Sequence, residues 1–391
     1  GYAGIILGAI FAGLVYVVIA LVVKFVGVNW IDRLMPKQVI GPTVAIIGLS
    51  LAGSAMGDLV KANSSTLFGS YNLVALLCGL IAFVVIIISS TQDKRITPKL
   101  IPFILGIAAG YAAAAIFTAI GMIADIDYLK IVNFQPLVDN FVAADGSFKG
   151  LSAFFSLPHI ALVEGIRELL SGNLAPEILA ANPEATILNL GGIVEVIIAF
   201  MPVALVVFAE HIADHKNLST IIDRDLIEEP GLKRTLLGDG VGSVAGTFFG
   251  ICPNTTYGES VGCIAITKNA SIVTITTTAF MCIFLSFFSP LTALLQTIPS
   301  CVMGGVCLTL YGFIAVSGLK MFKELDLTEN KNLFVVASIL ISGIGGLTIQ
   351  IPYAFAENGA VANTIQITSI ATALIIGILT NAILSKFEKN E

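Results

Sequence analysis

The feature that limits this chain most is the recurrence of apolar runs about as long as a bilayer is thick. It opens with "GYAGIILGAIFAGLVYVVIALVVKF", and comparable segments fall near 3–25, 38–57, 72–90, 99–124, 192–213, 236–251, 271–296, 300–321, 332–349 and 360–385. A helix needs roughly 20 apolar residues to cross a hydrocarbon core of ~30 Å. A soluble domain carries roughly 25% charged residues, whereas here 56% of 391 residues are hydrophobic and 12% charged. These runs cannot all be folded away from water inside one soluble core, so the chain reads as a polytopic helical membrane protein. No basic stretch precedes the opening run, so it is expected to be a spanning helix and not a cleaved leader. The six cysteines sit mostly in apolar segments without a C-x-x-C pair and are expected to act as small packing residues.

A further stretch, 252–270, is apolar at its edges but interrupted by "PNTTYGES". Counting it as an irregular crossing gives eleven passes, and the lysines and arginines test that count. Sixteen then lie on one side, with only Lys61, Lys130, Lys149 and Arg167 on the other. This bias predicts a cytoplasmic C-terminus and an external Gly1, and it holds only if the interrupted stretch crosses. The mixed segment 125–191 falls outside the membrane, with an amphipathic helix expected over 160–171 and His159 at the surface.

Faint internal repetition links "IGPTVAIIGLSLAG" (40–53) with "VMGGVCLTLYGFIAVSG" (302–318). Transporters are often built from inverted repeats that meet at a midplane site. Pairing these two segments also pairs 3–25 with 271–296, 72–90 with 332–349, and 99–124 with 360–385. The crossings at 192–213, 236–251 and 252–270 are left over, so three passes, ~80 residues at bilayer-spanning length, are expected upstream of Gly1.

Two places put ionisable groups at membrane depth, where a charge costs ~2.5–3.5 kcal/mol even on a mild scale. In "FAEHIADH", Glu210 and Asp214 share one helical face, with His211 and His215 on the adjoining one. Glu210 is read as a binding group. Asp214 is either functional or a polar helix end, and His215, beside Lys216, is a surface group. The two histidines have i,i+4 spacing, but neither H-E-x-x-H nor H-x-x-E-H is present, so no metal is expected. In "CPNTTYGESVGCIAITK", Pro253, Thr255 and Thr256 disfavour helix, Gly258 allows close backbone approach, and a short helix can begin at Glu259. Irregular backbone at that depth is tolerated only where protein buries it or it lines a cavity. Free N–H groups at a half-helix start can donate to a ligand carbonyl while Glu259 accepts from a ligand N–H, a pairing that suits a planar neutral lactam.

The motifs "AEHIADH", "PGLKRTLLGDGVGSVAGTFFGICPNTTYGESVGCIAITK" and "IPSCVMGGVCLTLYGFIAVSG" resemble the nucleobase-ascorbate transporter (nucleobase-cation symporter) family, on its bacterial pyrimidine-transporting side. The resemblance runs through most of the chain. It implies an all-α fold of fourteen segments in a seven-plus-seven inverted repeat, with short strands in broken helices, and eleven of those segments are present here. It implies a core domain over 1–27 and 192–297, a gate domain over 35–124 and 298–386, and 125–191 as an external insertion. By the same resemblance the substrate carboxylates fall on Glu210 and Glu259, the backbone donor on Gly258, and Tyr257 lines the site. Asn254, Thr255, Ser260 and Thr267 support it, and Asp214, His211 or Glu259 carries the coupled proton. The implied activity is proton-coupled uptake of uracil through a bacterial cytoplasmic membrane. The implied partners are the lipid bilayer, a nucleobase and protons, without nucleic acid or cofactor, and a homodimer is an open assembly. Two positions depart from the usual pattern: Asp214 replaces a histidine, as in purine-transporting relatives, and Ser260 replaces an asparagine. A xanthine or urate carrier is therefore the rival reading, which Glu259 opposes. An intramembrane enzyme is the rival from another class, but the chain has no G-x-S-x-G, no G-x-G-D pair and no ordered metal cluster.

Overall fold

The computed structural model describes all residues except 63–70, 93–95, 184, 259, 262–263, 265–267, 356–360 and 389–391. Glu259 and Thr267, both expected in the site, therefore lie outside the described residues. The principal helices are α1 (Tyr2–Val26), α2 (Lys37–Leu59), α3 (Leu73–Ser90), α4 (Pro102–Ala124), α5 (Ala161–Ser171), α6 (Leu190–Ile222), α7 (Leu232–Thr247), α8 (Ile272–Ser286), α9 (Ser289–Gln296), α10 (Ser300–Lys320), α11 (Asn330–Ile344) and α12 (Ser369–Glu388). Six helices among the described residues, α1 to α4, α10 and α12, are long and apolar enough to cross a membrane. The fold is an all-α polytopic one, and the protein is an integral membrane protein.

The chain divides into two compact units, to both of which α2 and α10 contribute. The first comprises Gly1–Ser50, His159–Val261 and Ile314–Glu391. Its core joins Tyr16 and Ile19 of α1, Val39 and Ile46 of α2, Phe208 and Ile212 of α6, Leu236 of α7, Ile339 of α11 and Leu374 of α12. Lipid offers apolar side chains the same solvent as a neighbouring helix does, so membrane helices associate through close packing of small residues. At the α1–α7 crossing, a Cβ on Gly13 would lie 2.9 Å from the Gly240 carbonyl oxygen, and one on Gly240 would lie 2.9 Å from that of Gly13. Only glycine at both positions lets these backbones approach so closely.

The second unit comprises Leu51–Pro158 and Gly262–Phe313. Ala75, Cys78 and Ala82 of α3 pack with Ala114 of α4 and with Cys301 and Val302 of α10. Asn72 caps α3 by accepting from Val74 N–H and Ala75 N–H, and its amide donates to the Tyr128 carbonyl. The buried Thr118 hydroxyl accepts from Ile131 and Val132 N–H groups, pinning the chain that follows α4.

Several element boundaries differ from the sequence reading. The run 192–213 continues to Ile222 as one 33-residue helix, because no glycine or proline follows Asp214 to break it before Asp223. The run 271–296 divides at Phe287–Phe288, ahead of Pro290, whose ring favours the first turn of a new helix. The helix in 332–349 stops at Ile344, and the start of 360–385 belongs to an antiparallel ribbon of β1 (Ile349–Phe355) and β2 (Val361–Ile367), with Gln350 opposite Gln366 and Ile351 opposite Ile365. "IQI" occurs in both strands with the period-two alternation of a ribbon, and Pro352 excludes helix in the first. Cys78 and Cys301 are buried as packing residues, whereas Cys252 and Cys282 are exposed.

Candidate functional site

The candidate site is built within the first unit by α6 and by the stretch that follows α7. Residues 251–257 have no regular structure, and helical hydrogen bonds begin only where Ser260 and Val261 N–H groups donate to the Tyr257 carbonyl. Pro253 and the β-branched pair account for that irregular run. The Ser243 hydroxyl of α7 accepts from Asn254 N–H at 2.9 Å, tying the start of the run to the helix before it.

The two carboxylates on one face of α6 meet this run directly. The Thr255 hydroxyl donates to Glu210 Oε2 at 3.3 Å, and the Thr256 hydroxyl donates to Asp214 Oδ2 at 2.7 Å. A Cβ built on Gly258 would lie 3.2 Å from Asp214 Oδ1, so the glycine backbone approaches the carboxylate with little room to spare. Asp214 is buried and Glu210 half-buried. The structure thus brings together Glu210, Asp214, Thr255, Thr256 and Gly258, with Asn254 fixed alongside. Tyr257 is exposed, and Ser260 takes part through its backbone in the first helical turn.

His211 faces the other way. Its ring is buried, with Nδ1 2.6 Å from Asp239 Oδ2 and Nε2 3.0 Å from the Thr235 hydroxyl, both partners being on α7. The Thr235 hydroxyl is also within 3.0 Å of the Leu232 carbonyl. Its single proton can go to that carbonyl, leaving Nε2–H of a charged imidazole to donate to Thr235, or to Nε2 of a neutral one. The ring of His215 stacks on that of His211 at 4.2 Å, and its Nδ1–H donates to the His211 carbonyl. Among the described residues no group of three His, Cys, Asp or Glu side chains is placed to hold a metal.

Asp239, Thr235 and Thr256 were missed by sequence reasoning. Asp239 lies in the apolar run 236–251, where the cost of a charge at membrane depth was itself the available signal. Thr256 was read only as a helix breaker.

A polytopic helical bundle that turns two carboxylates of one helix onto an irregular segment has the make-up of a membrane transporter. The sequence pattern of the permease family matches residues 1–351, and the chain belongs to that family. It is 33% identical to the uracil permease of Bacillus caldolyticus over 98% of this chain and 76% of the relative. It is 30% identical to the uracil permease of Bacillus subtilis over 100% and 78% of the two chains. The uracil permease of Escherichia coli K12 is 31% identical over 94% of this chain and 73% of its own length.

Proposed function

We propose that this protein carries uracil across the bacterial plasma membrane in symport with protons, by alternating access. The observation that carries the reading is the pairing of Glu210 and Asp214 with consecutive hydroxyls of the irregular run, next to Gly258. The names of the relatives supply the substrate class. In this reading Glu210 and Glu259 accept from the two ring N–H groups of uracil, and backbone N–H groups at the start of the helix after Tyr257 donate to a ring carbonyl. Tyr257 lines the site and Asn254, Thr255, Ser260 and Thr267 support it. A proton on one of the carboxylates, Asp214 included, or on His211 neutralises a charge that would otherwise cross in a medium of low dielectric. His211 is suited to this because Asp239 and Thr235 accommodate both its charge states.

In the same reading the core domain, 1–27 and 192–297, moves past the gate domain, 35–124 and 298–386. The insertion 125–191 lies outside, the C-terminus is cytoplasmic, and a homodimer is the assembly to test. The test is labelled uracil uptake by the full-length protein in cells lacking their own carrier, with a protonophore or excess unlabelled xanthine added separately. Uptake that survives xanthine and collapses with the protonophore is expected. Asp214, bonded within the site, favours one alternative, a xanthine or urate carrier, and block of uptake by xanthine would establish it. Glu259→Gln is expected to abolish uracil uptake, and normal uptake in that variant would remove Glu259 from the site.

A further inference from the structure

The face of α6 that carries the carboxylates does not end at Asp214. Glu210, Asp214, Asn217 and Thr220 follow one another at helical steps of four, three and three, and so share a stripe. Beyond Asp214 that stripe enters a cavity of about 1150 Å³ whose lining includes Ala213, Asn217 and Thr220 of α6, Lys37 at the start of α2, and Ser317 and Lys320 at the end of α10. Lys37, Lys216, Arg224, Lys320 and Lys323 all reach it, and these are residues of the side that the charge count makes cytoplasmic. The cavity therefore lies further along the helix that carries the carboxylates, toward the compartment into which a substrate would be released.

The two walls of this cavity are held in different ways. On one side α10 and α2 touch backbone to backbone: a Cβ on Gly318 would lie 2.4 Å from Ala45 N and 2.5 Å from the Gly41 carbonyl oxygen. Such a crossing is interlocked and has no room to slide. On the other side, α6 is joined to α10 across the cavity by a side-chain hydrogen bond, in which Asn217 Nδ2 donates to Ser317 Oγ at 2.6 Å. Both residues are half-buried, and a neutral bond that water can replace is readily broken and remade. Asn217 stands about one turn beyond Asp214 on α6, and both it and Ser317 line the cavity.

We propose that Asn217 and Ser317 form a latch on the path between the carboxylates and the cavity. Bonded, they hold α6 against the α2–α10 pair; parted, they open the way from Asp214 into the cavity. The inference rests on the transport reading and adds to it a pair of positioning residues that do not themselves bind substrate. The plain alternative is a packing hydrogen bond with no part in access, and the two are separable by how fast a group behind the pair meets solvent.

Ala213 lines the cavity, is 4% exposed and sits on the carboxylate side of Asn217. In a protein with its six native cysteines replaced, Ala213→Cys would be reacted with a charged, membrane-impermeant maleimide in inside-out and right-side-out vesicles. With the latch intact the reaction is expected to be slow. Adding Asn217→Ala or Ser317→Ala is expected to speed it about fivefold or more, in inside-out vesicles only, as loss of one such bond implies. Ser317→Thr, which keeps the hydroxyl, is expected to restore the slow rate. A Val44→Cys reporter in the packed core must stay unreacted throughout. Unchanged rates in both alanine variants would overturn the latch, and so would faster reaction at both reporters, because that would mean general loosening of the bundle. The labelling needs no substrate, so its failure leaves the uptake reading standing, and absence of uracil uptake would leave the labelling result intact.

Discussion

At the scale of single residues, the site combines tight contacts whose removal has different signatures. Gly258 passes Asp214 at a distance where a methyl group would meet Oδ1 at 3.2 Å, closer than ordinary van der Waals contact, so one of the two must shift. Gly258→Ala is expected to weaken uracil uptake mainly through KM, by roughly tenfold, the equivalent of ~1.4 kcal/mol. Uptake kinetics alongside an immunoblot for membrane content would check it, and an unchanged KM would mean that the backbone there has slack. Asp239→Ala acts on stability instead. It leaves a buried imidazole N–H without its acceptor, which costs about 1–3 kcal/mol, and should lower the thermal inactivation midpoint of the detergent-solubilised protein. Asp239→Asn, which keeps an acceptor oxygen, should lower it less. The contrast between these residues also shows what was legible in the sequence. Glu210 and Asp214 stood out because their four-residue spacing and apolar surroundings are written in the chain. The pairing of Asp239 with His211 depends on how α7 is rotated against α6, and no local pattern encodes that rotation.

At the scale of elements, glycine contacts fix which helices can be neighbours. In the second unit a Cβ on Gly305 of α10 would lie 2.1 Å from the carbonyl oxygen of Gly79 in α3, closer than any real contact. Gly305→Ala is therefore expected to force the helices apart at a cost of about 1–3 kcal/mol or more, seen as a loss of folded protein in the membrane fraction and of monodisperse protein after solubilisation. Gly312→Ala on the same helix meets nothing within 4 Å and is expected to behave like the parent protein, separating packing from helix propensity. The apolar runs made most of these helices legible, because a bilayer imposes a length. The ribbon of β1 and β2 was not. The first strand begins where the run 332–349 ends and was left between runs, whereas the second lies inside the run 360–385 and was absorbed by it. The signals that separate them, the repeated "IQI" alternation and Pro352, are only a few residues long. The break at Phe287–Phe288 was passed over for the same reason, since Pro290 is one residue within a long apolar segment.

At the scale of the whole molecule, the irregular stretch and the charge distribution constrain each other. Counting 252–270 as a crossing puts the residues on either side of it in opposite compartments. Only then do sixteen of the twenty basic residues fall together, as the preference for positive cytoplasmic loops requires. The same crossing would set "NTTYGE" at membrane depth, where Thr255 and Thr256 meet Glu210 and Asp214. Reporter fusions test both at once. A fluorescent protein joined after Glu391 is expected to fold and fluoresce, as it does in the cytoplasm. Alkaline phosphatase inserted at Gly146, an exposed turn with φ of 83°, is expected to be active, as it is outside. Phosphatase activity from a C-terminal fusion, with the Gly146 insertion also active, would require an even number of crossings between the two points. The stretch 252–270 would then enter and leave by the same side, and alternating access would have to be built around a re-entrant loop and not around a helix that spans.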